Sequence, residues 1–168
     1  KIKKLLFMLE GRNSLCSGLT YRTNVCIIAR TGGWTVERVI YHIDVNSAFL
    51  SWEACYRIHH KGGKKDLREQ VAVVGGDVTQ RHGIVLAKSI PSKKYGIQTG
   101  ESLMEARKKC PDLVVVPPNY NLYERCSKAF IGILQEYTPD VEQYSIDEAF
   151  LDMTGTQALF GEPLKVAH

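Results

Sequence analysis

Two adjacent acids, Asp147 and Glu148, stand between apolar strand formers: Val141, Tyr144 and Ile146 before them, Ala149, Phe150 and Leu151 after. This pattern predicts a tight β-hairpin with the acid pair near its bend. Neighbouring side chains point to opposite faces of a regular strand, but at a bend both carboxylates can lie near one place. An acid pair among apolar residues is costly to bury without a balancing cation. All-oxygen donors suit a hard divalent ion such as magnesium.

A second stretch, residues 38–46, reads as a short apolar strand ending at a lone acid, Asp44. Set beside the hairpin, Asp44 would join Asp147 and Glu148. Three carboxylates so placed could hold two divalent ions roughly 3.5–4 Å apart, the arrangement used for in-line phosphoryl displacement. A plainer reading makes Asp147 and Glu148 turn residues and Asp44 a helix cap. The residues alone leave both readings open.

The elements that must position these acids follow from periodicity and punctuation. After Asp44, a helix capped by Asn46 or Ser47 is expected, with Phe49, Leu50, Ala54 and Ile58 on one stripe and its end near His59–Gly63. Residues 71–77 read as a buried strand closing on a glycine turn, and Gly83–Lys88 as the next strand. Neither a G-x-G-x-x-G nor a Walker pattern surrounds Gly75 and Gly76. Ser89 can cap a short helical turn with Pro91 in its first turn, projecting Lys93 and Lys94. Residues 102–110 should form a helix stopped by Pro111, and 113–116 a strand. The longest helix is expected over 120–137, capped by Asn119, with Leu122, Cys126, Ala129, Phe130, Ile133, Leu134 and Tyr137 on its core face. Hairpin strands over 141–146 and 149–153 complete the pattern.

Composition bounds the answer. The chain has 168 residues, enough for one domain or for one domain with a sizeable insertion. A hydrophobic content of 44% allows a real core, and a net charge of +4 is compatible with nucleic-acid binding without requiring it. Five widely spaced cysteines (Cys16, Cys26, Cys55, Cys110 and Cys126) form no C-x-x-C pair, so neither a zinc site nor a disulfide framework is indicated. A reducing cytoplasm fits this usage. No apolar run approaches the roughly 18 residues of a membrane span. Residues 1–36 are basic with short apolar runs at Leu5–Leu9 and Val25–Ala29, and Glu10 is their only acid. Two readings stand for this arm: translated upstream sequence preceding a start at Val36, or a genuine arm whose apolar runs pack on the domain.

Three motifs resemble the Y-family (translesion) DNA polymerases of the polymerase IV and UmuC-like group. They are Ile43–Phe49, the run Gly83–Ser89 continuing through Lys93–Ile97, and Ser145–Asp152, in the family's order and at about its spacing. The match covers roughly residues 37–168, and its last motif is the most specific. The resemblance implies an α+β fold. A ferredoxin-like palm, incomplete here, would comprise residues 37–48 and 114–168, with a small α/β fingers subdomain inserted over 49–113. It implies a two-metal nucleotidyl transfer in which Asp44, Asp147 and Glu148 hold two magnesium ions. Phe49 matches the steric gate, an aromatic ring that collides with a ribose 2′-hydroxyl; read from the residues alone, Phe49 is a core phenylalanine. The family's tyrosine and arginine at the phosphate-binding turn are replaced by Ile90 and Lys93. Ile90 has no hydroxyl, and lysine lacks the planar fork of arginine. Triphosphate binding is therefore expected to be weaker, or to fall to Lys88 and Lys94.

The same resemblance implies that the chain stops short of the last palm strand, the thumb and the little finger. An exposed sheet edge and self-association are then expected, with little or no activity from the fragment itself. The implied partners are primer–template DNA, deoxynucleoside triphosphates and a sliding clamp reached through the missing C-terminal regions; no membrane is implied, and the setting is cytoplasmic. Two alternatives remain beside the error-prone, lesion-bypass polymerase: a palm-fold nucleotidyl cyclase, and a non-catalytic remnant that binds DNA or a protein partner.

Overall fold

The computed structural model describes residues 23–30, 38–76 and 83–167. The arm's Leu5–Leu9 run and the Asp77 end of the predicted strand lie outside them. The fold is α+β, and the chain divides into two compact units, Lys1–Asn46 with Glu124–His168, and Ser47–Tyr123.

The first unit holds a four-stranded antiparallel sheet. Its strands are β1 (Thr23–Arg30), β2 (Arg38–Val45), β6 (Val141–Gln143) and β7 (Glu148–Asp152), in the order β1-β2-β7-β6. Period-two alternation sets the faces of the two central strands. Val39, Tyr41 and Val45 of β2 are buried with Ala149 and Leu151 of β7, while Ile40, His42 and Asp44 are half-buried with Glu148, Phe150 and Asp152. β1 pairs with β2 along its whole length, from Thr23 opposite Val45 to Arg30 opposite Arg38. A strand from the arm thus covers this side of β2. The first hairpin strand ends at Gln143 rather than residue 146, because Tyr144 and Ser145 turn their amides onto the Glu148 carbonyl, at 3.0 and 3.2 Å. Further ties hold this unit together. Gln143 Nε2 donates to Ser127 Oγ at 3.0 Å, and the Tyr41 hydroxyl donates to the Pro163 carbonyl at 2.6 Å.

The second unit is built on a three-stranded sheet ordered β4-β3-β5, with β3 at Ala72–Gly75, β4 at Val85–Lys88 and β5 at Val114–Val116. β3 is central, antiparallel to β4 and parallel to β5. Its continuous run of Ala72, Val73 and Val74 is fully buried, as a strand covered on both faces requires. Val73, Val85, Ile97, Leu103, Ala106, Cys110 and Leu113 form its core. Gly83 permits a close crossing: a Cβ there would lie 2.5 Å from the Gly76 carbonyl oxygen.

Helix α1 spans Ala48–His60 in this unit. Its start departs from the expected cap. Ser47 stands at the N-cap but adopts a left-handed conformation, φ 50°, with no side-chain capping bond. The turn from strand to helix is made by backbone geometry instead. Helix α2, Leu103–Lys109, does follow the capping pattern: Ser102 Oγ accepts from the Glu105 amide at 3.2 Å, and Pro111 follows the end. A 3₁₀ turn, Pro91–Tyr95, precedes it, with the Ser92 amide donating to the Ser89 hydroxyl at 3.3 Å. Helix α3, Tyr120–Leu134, begins with Asn119 Oδ1 accepting from the Leu122 amide at 3.2 Å. It ends three residues before Tyr137, where residues 135–137 tighten into a turn. Two short helices, α4 (Gln157–Phe160) and α5 (Pro163–Ala167), close the described chain.

Candidate active site

The hairpin and β2 bring the acids together. Asp44 near the end of β2 stands directly opposite Glu148, the first residue of β7. The ladder runs one step further, the Val45 amide donating to the Asp147 carbonyl at 3.0 Å, which anchors the bend beside β2. Within the bend Asp147 and Ser145 hold each other. The Ser145 hydroxyl donates to Asp147 Oδ1 at 2.9 Å, and the Asp147 amide approaches Ser145 Oγ at 3.3 Å. All three acids are half-buried.

Their charges act on one another. Burial raises the Asp44 carboxyl above the ordinary carboxylate range, the Asp147 and Glu148 charges raise it further, and His42 pulls weakly the other way. A cation would relieve this repulsion. Among the described residues, no three His, Cys, Asp or Glu side chains already form a closed metal-binding group. The acids are thus near enough to repel but not drawn around a common point. Their oxygen donors fit a hard divalent ion by chemistry.

His42 belongs to this site, although the sequence reading passed over it. Its ring stacks on Phe150, centroids 4.5 Å apart and 15° from parallel, and its Nε2 lies 3.5 Å from Glu148 Oε1. The signal was its spacing: two residues before Asp44, it shares the acid's face of β2. Tyr144, 70% exposed, meets Phe150 edge-on at 6.0 Å. At the far end of the same strands, Arg38 Nη2 donates to Asp152 Oδ2 at 2.6 Å and the Thr154 amide donates to Asp152 Oδ1 at 2.9 Å. The arginine bond first, then those from Thr154, hold the Asp152 carboxyl down to about 2.

The remaining candidates lie in the second unit. Phe49 is half-buried and lies flat on Tyr123, centroids 4.6 Å apart and 8° from parallel, with Trp52 at 6.2 Å from each. Tyr123 is fully buried and was missed, because it sits beside Leu122, the residue that fits the core stripe. Lys93 and Lys94 are exposed on the 3₁₀ turn, and Ile90 before them is 63% exposed. Lys88 is turned inward, its Nζ donating to the Ile97 carbonyl at 2.5 Å and to Gln98 Oε1 at 3.3 Å.

The chain can be set beside known proteins on this basis. Residues 43–168 match the impB/mucB/samB family. The chain is 52% identical over 119 residues to a DNA polymerase IV of Clostridium acetobutylicum, an alignment covering 71% of this chain and 30% of the relative. It is 40% identical over 131 residues to DNA polymerase IV 2 of Bacillus subtilis, covering 78% of this chain and 30% of the relative. The chain therefore spans about a third of the length of the curated relatives it matches. Among solved structures it resembles a Y-family DNA polymerase chimera, with a TM-score of 0.64 at 23% identity over 76% of this chain and 36% of the other. DinB from Sulfolobus solfataricus matches over the same shares, with a TM-score of 0.64 at 22% identity. At these identities the two structures speak to the fold alone.

Proposed function

The chain belongs to the impB/mucB/samB family, and from that premise we propose that it carries the catalytic acids of a lesion-bypass, DNA-directed DNA polymerase. The observation that carries this reading is the pairing of Asp44 with Glu148 across β2 and β7, with Asp147 bound to β2 beside them. The four-stranded sheet is assigned to the palm and the three-stranded unit to the fingers; β5, at the start of the expected palm segment 114–168, is counted in the fingers instead because it pairs with β3.

In the proposed reaction a primer 3′-hydroxyl attacks the α-phosphorus of a deoxynucleoside triphosphate and pyrophosphate leaves. Asp44, Asp147 and Glu148 would hold the two magnesium ions through their carboxylate oxygens. Bound there, such ions supply charge stabilisation and alignment of the attacking and leaving oxygens. The chain's own side chains set geometry and selection. Ser145 fixes the Asp147 carboxylate through its hydroxyl, and the Phe150 ring carries His42 beside Glu148. Phe49 acts as the steric gate against ribonucleotides, held flat by Tyr123. Lys93 and Lys94, both exposed, are the cations offered to the triphosphate; Lys88 reaches it only by leaving the Ile97 carbonyl. Primer–template DNA is the proposed macromolecular partner, and a sliding clamp would be met by regions outside this chain. Among the described residues no helix is long and apolar enough to cross a membrane, and a cytoplasmic setting is proposed.

Ile90 favours a second reading, a non-catalytic DNA-binding role, since it offers no hydroxyl to a phosphate. Primer extension by a chain carried to the length of its relatives separates the two. Extension that is abolished by Asp147→Ala supports the polymerase; DNA binding without extension, unchanged by Asp147→Ala, supports the second reading.

A further inference from the structure

Behind the proposed gate lies a group of buried polar atoms that the mechanism does not use. Among the described residues four buried side-chain N or O atoms have no hydrogen-bonding partner: Trp52 Nε1, Glu53 Oε2, Tyr123 OH and Glu101 Oε1. Three of the four belong to residues that neighbour one another. Phe49, Trp52 and Glu53 stand at i, i+3 and i+4 of α1, so they share a helix face. Tyr123 lies on that face, stacked on Phe49 and 6.2 Å from the Trp52 ring. Its hydroxyl senses the Glu53 charge: burial pushes the phenol up to about 12, Glu53 adds to the rise, and the Asn119 main chain, outside hydrogen-bonding geometry, opposes it. Glu53 is only 2% exposed, and its other oxygen, Oε1, accepts from Arg57 Nε at 2.7 Å.

Buried polar groups rarely go unpaired, and each orphan carries a desolvation penalty. Two donors and one acceptor on neighbouring buried residues can be satisfied by a single water molecule, which needs two to four polar partners to reside in a protein interior. We propose that Trp52 Nε1, Tyr123 OH and Glu53 Oε2 enclose a structural water site, and that Glu53, through this water, is a positioning residue for the ring on which Phe49 lies. Arg57 orients Glu53 through its bond to Oε1, the water ties the carboxylate to the phenol, and the phenol ring fixes the Phe49 plane. The water site stands on burial and geometry; only its consequence for sugar choice rests on reading Phe49 as a gate.

The test is solution NMR of the whole chain with nitrogen-labelled tryptophan. The chain has two tryptophans, Trp34 and Trp52, so Trp34→Phe identifies the Trp52 indole signal. The expected result is a cross-relaxation peak from the Trp52 indole N–H to a long-lived water, kept in Glu53→Gln and lost in Glu53→Met. Absence of that peak in the unsubstituted chain overturns the proposal, whether or not Glu53→Met folds. So does its survival in a folded Glu53→Met chain. The consequence is read in a polymerase-length chain, where Glu53→Met should raise ribonucleotide insertion several-fold and Glu53→Gln should restore selection. If Phe49→Ala relaxes selection but Glu53→Met does not, the positioning role fails. If Phe49→Ala leaves selection unchanged while the water peak persists, the gate reading fails and the water site stands.

Discussion

Asp44 and Glu148 face each other directly across the two central strands of the sheet, with the Asp147 carbonyl bonded to the next residue of β2. Like charges opposed on neighbouring strands are destabilising. The fold tolerates this at one end of its sheet, where burial first and then the neighbouring charges raise the Asp44 carboxyl.

Removing that repulsion should stabilise the chain. An acid whose folded pKa is raised opposes folding where it is ionised, and the penalty disappears below its ordinary value near 3.8. Asp44→Asn is therefore expected to raise the melting temperature at neutral pH by on the order of 2 °C, a typical response to a change of up to about 1 kcal/mol in a chain of this size. The gain should vanish in acid. A melting temperature that falls at neutral pH would mean that Asp44 is held by favourable partners.

Asp152 should show the opposite dependence. Its carboxyl is held down to about 2 from 3.8, so its stabilising contribution is complete above about pH 4 and is lost as pH falls through about 2. Asp152→Asn is expected to lower the melting temperature at neutral pH and to match the unsubstituted chain near pH 2. Arg38 is 66% exposed, so added salt should shrink the difference. Thermal unfolding across pH at two ionic strengths checks both points.

The Phe49–Tyr123 stack yields a paired prediction. In a polymerase-length chain Phe49→Ala should relax selection against ribonucleotides by roughly 10- to 100-fold, the range over which an apolar pocket discriminates a hydroxyl. Tyr123→Ala should relax it as well, and should also cost about 3–5 kcal/mol of stability, because it empties a fully buried aromatic site. Single-nucleotide insertion kinetics with matched sugars, alongside denaturant unfolding, would separate gate from core.

The phosphate-binding turn can be improved if the proposed function holds. Ile90 and Lys93 are both exposed, so new side chains there meet no packing barrier. Ile90→Tyr with Lys93→Arg adds a hydroxyl donor and a planar fork suited to phosphate. The double variant should bind deoxynucleoside triphosphate several-fold more tightly, about 1 kcal/mol. Unchanged affinity would place the triphosphate elsewhere.

The acids and their strands were legible because alternation and a bend leave a strong local signature: a lone acid closing an apolar strand, and an acid pair inside a hairpin. His42 obeyed the same alternation, yet a histidine in a strand carries no chemistry until its neighbours are known; Phe150 and Glu148 supply that only through pairing. Tyr123 was hidden for a different reason. The helical period selects one stripe, marked by Leu122, Cys126 and Phe130, whereas the start of α3 is buried on a second side by Phe49 and Trp52 of α1. The arm strand could not be placed because Val25–Ala29 runs apolar without alternation, and only its register with β2 makes it a strand. The cap at Ser47 failed because residue type predicts a side-chain bond, whereas the left-handed turn is dictated by the geometry of leaving β2 for α1.

The central claim is that the three acids form a metal-dependent nucleotide site. Calorimetric titration of a deoxynucleoside triphosphate into this chain, with and without magnesium and beside Asp147→Ala, tests it most directly. The account predicts binding that requires both the metal and Asp147. Binding that is indifferent to either, or no binding by a chain whose circular dichroism shows it folded, would contradict it.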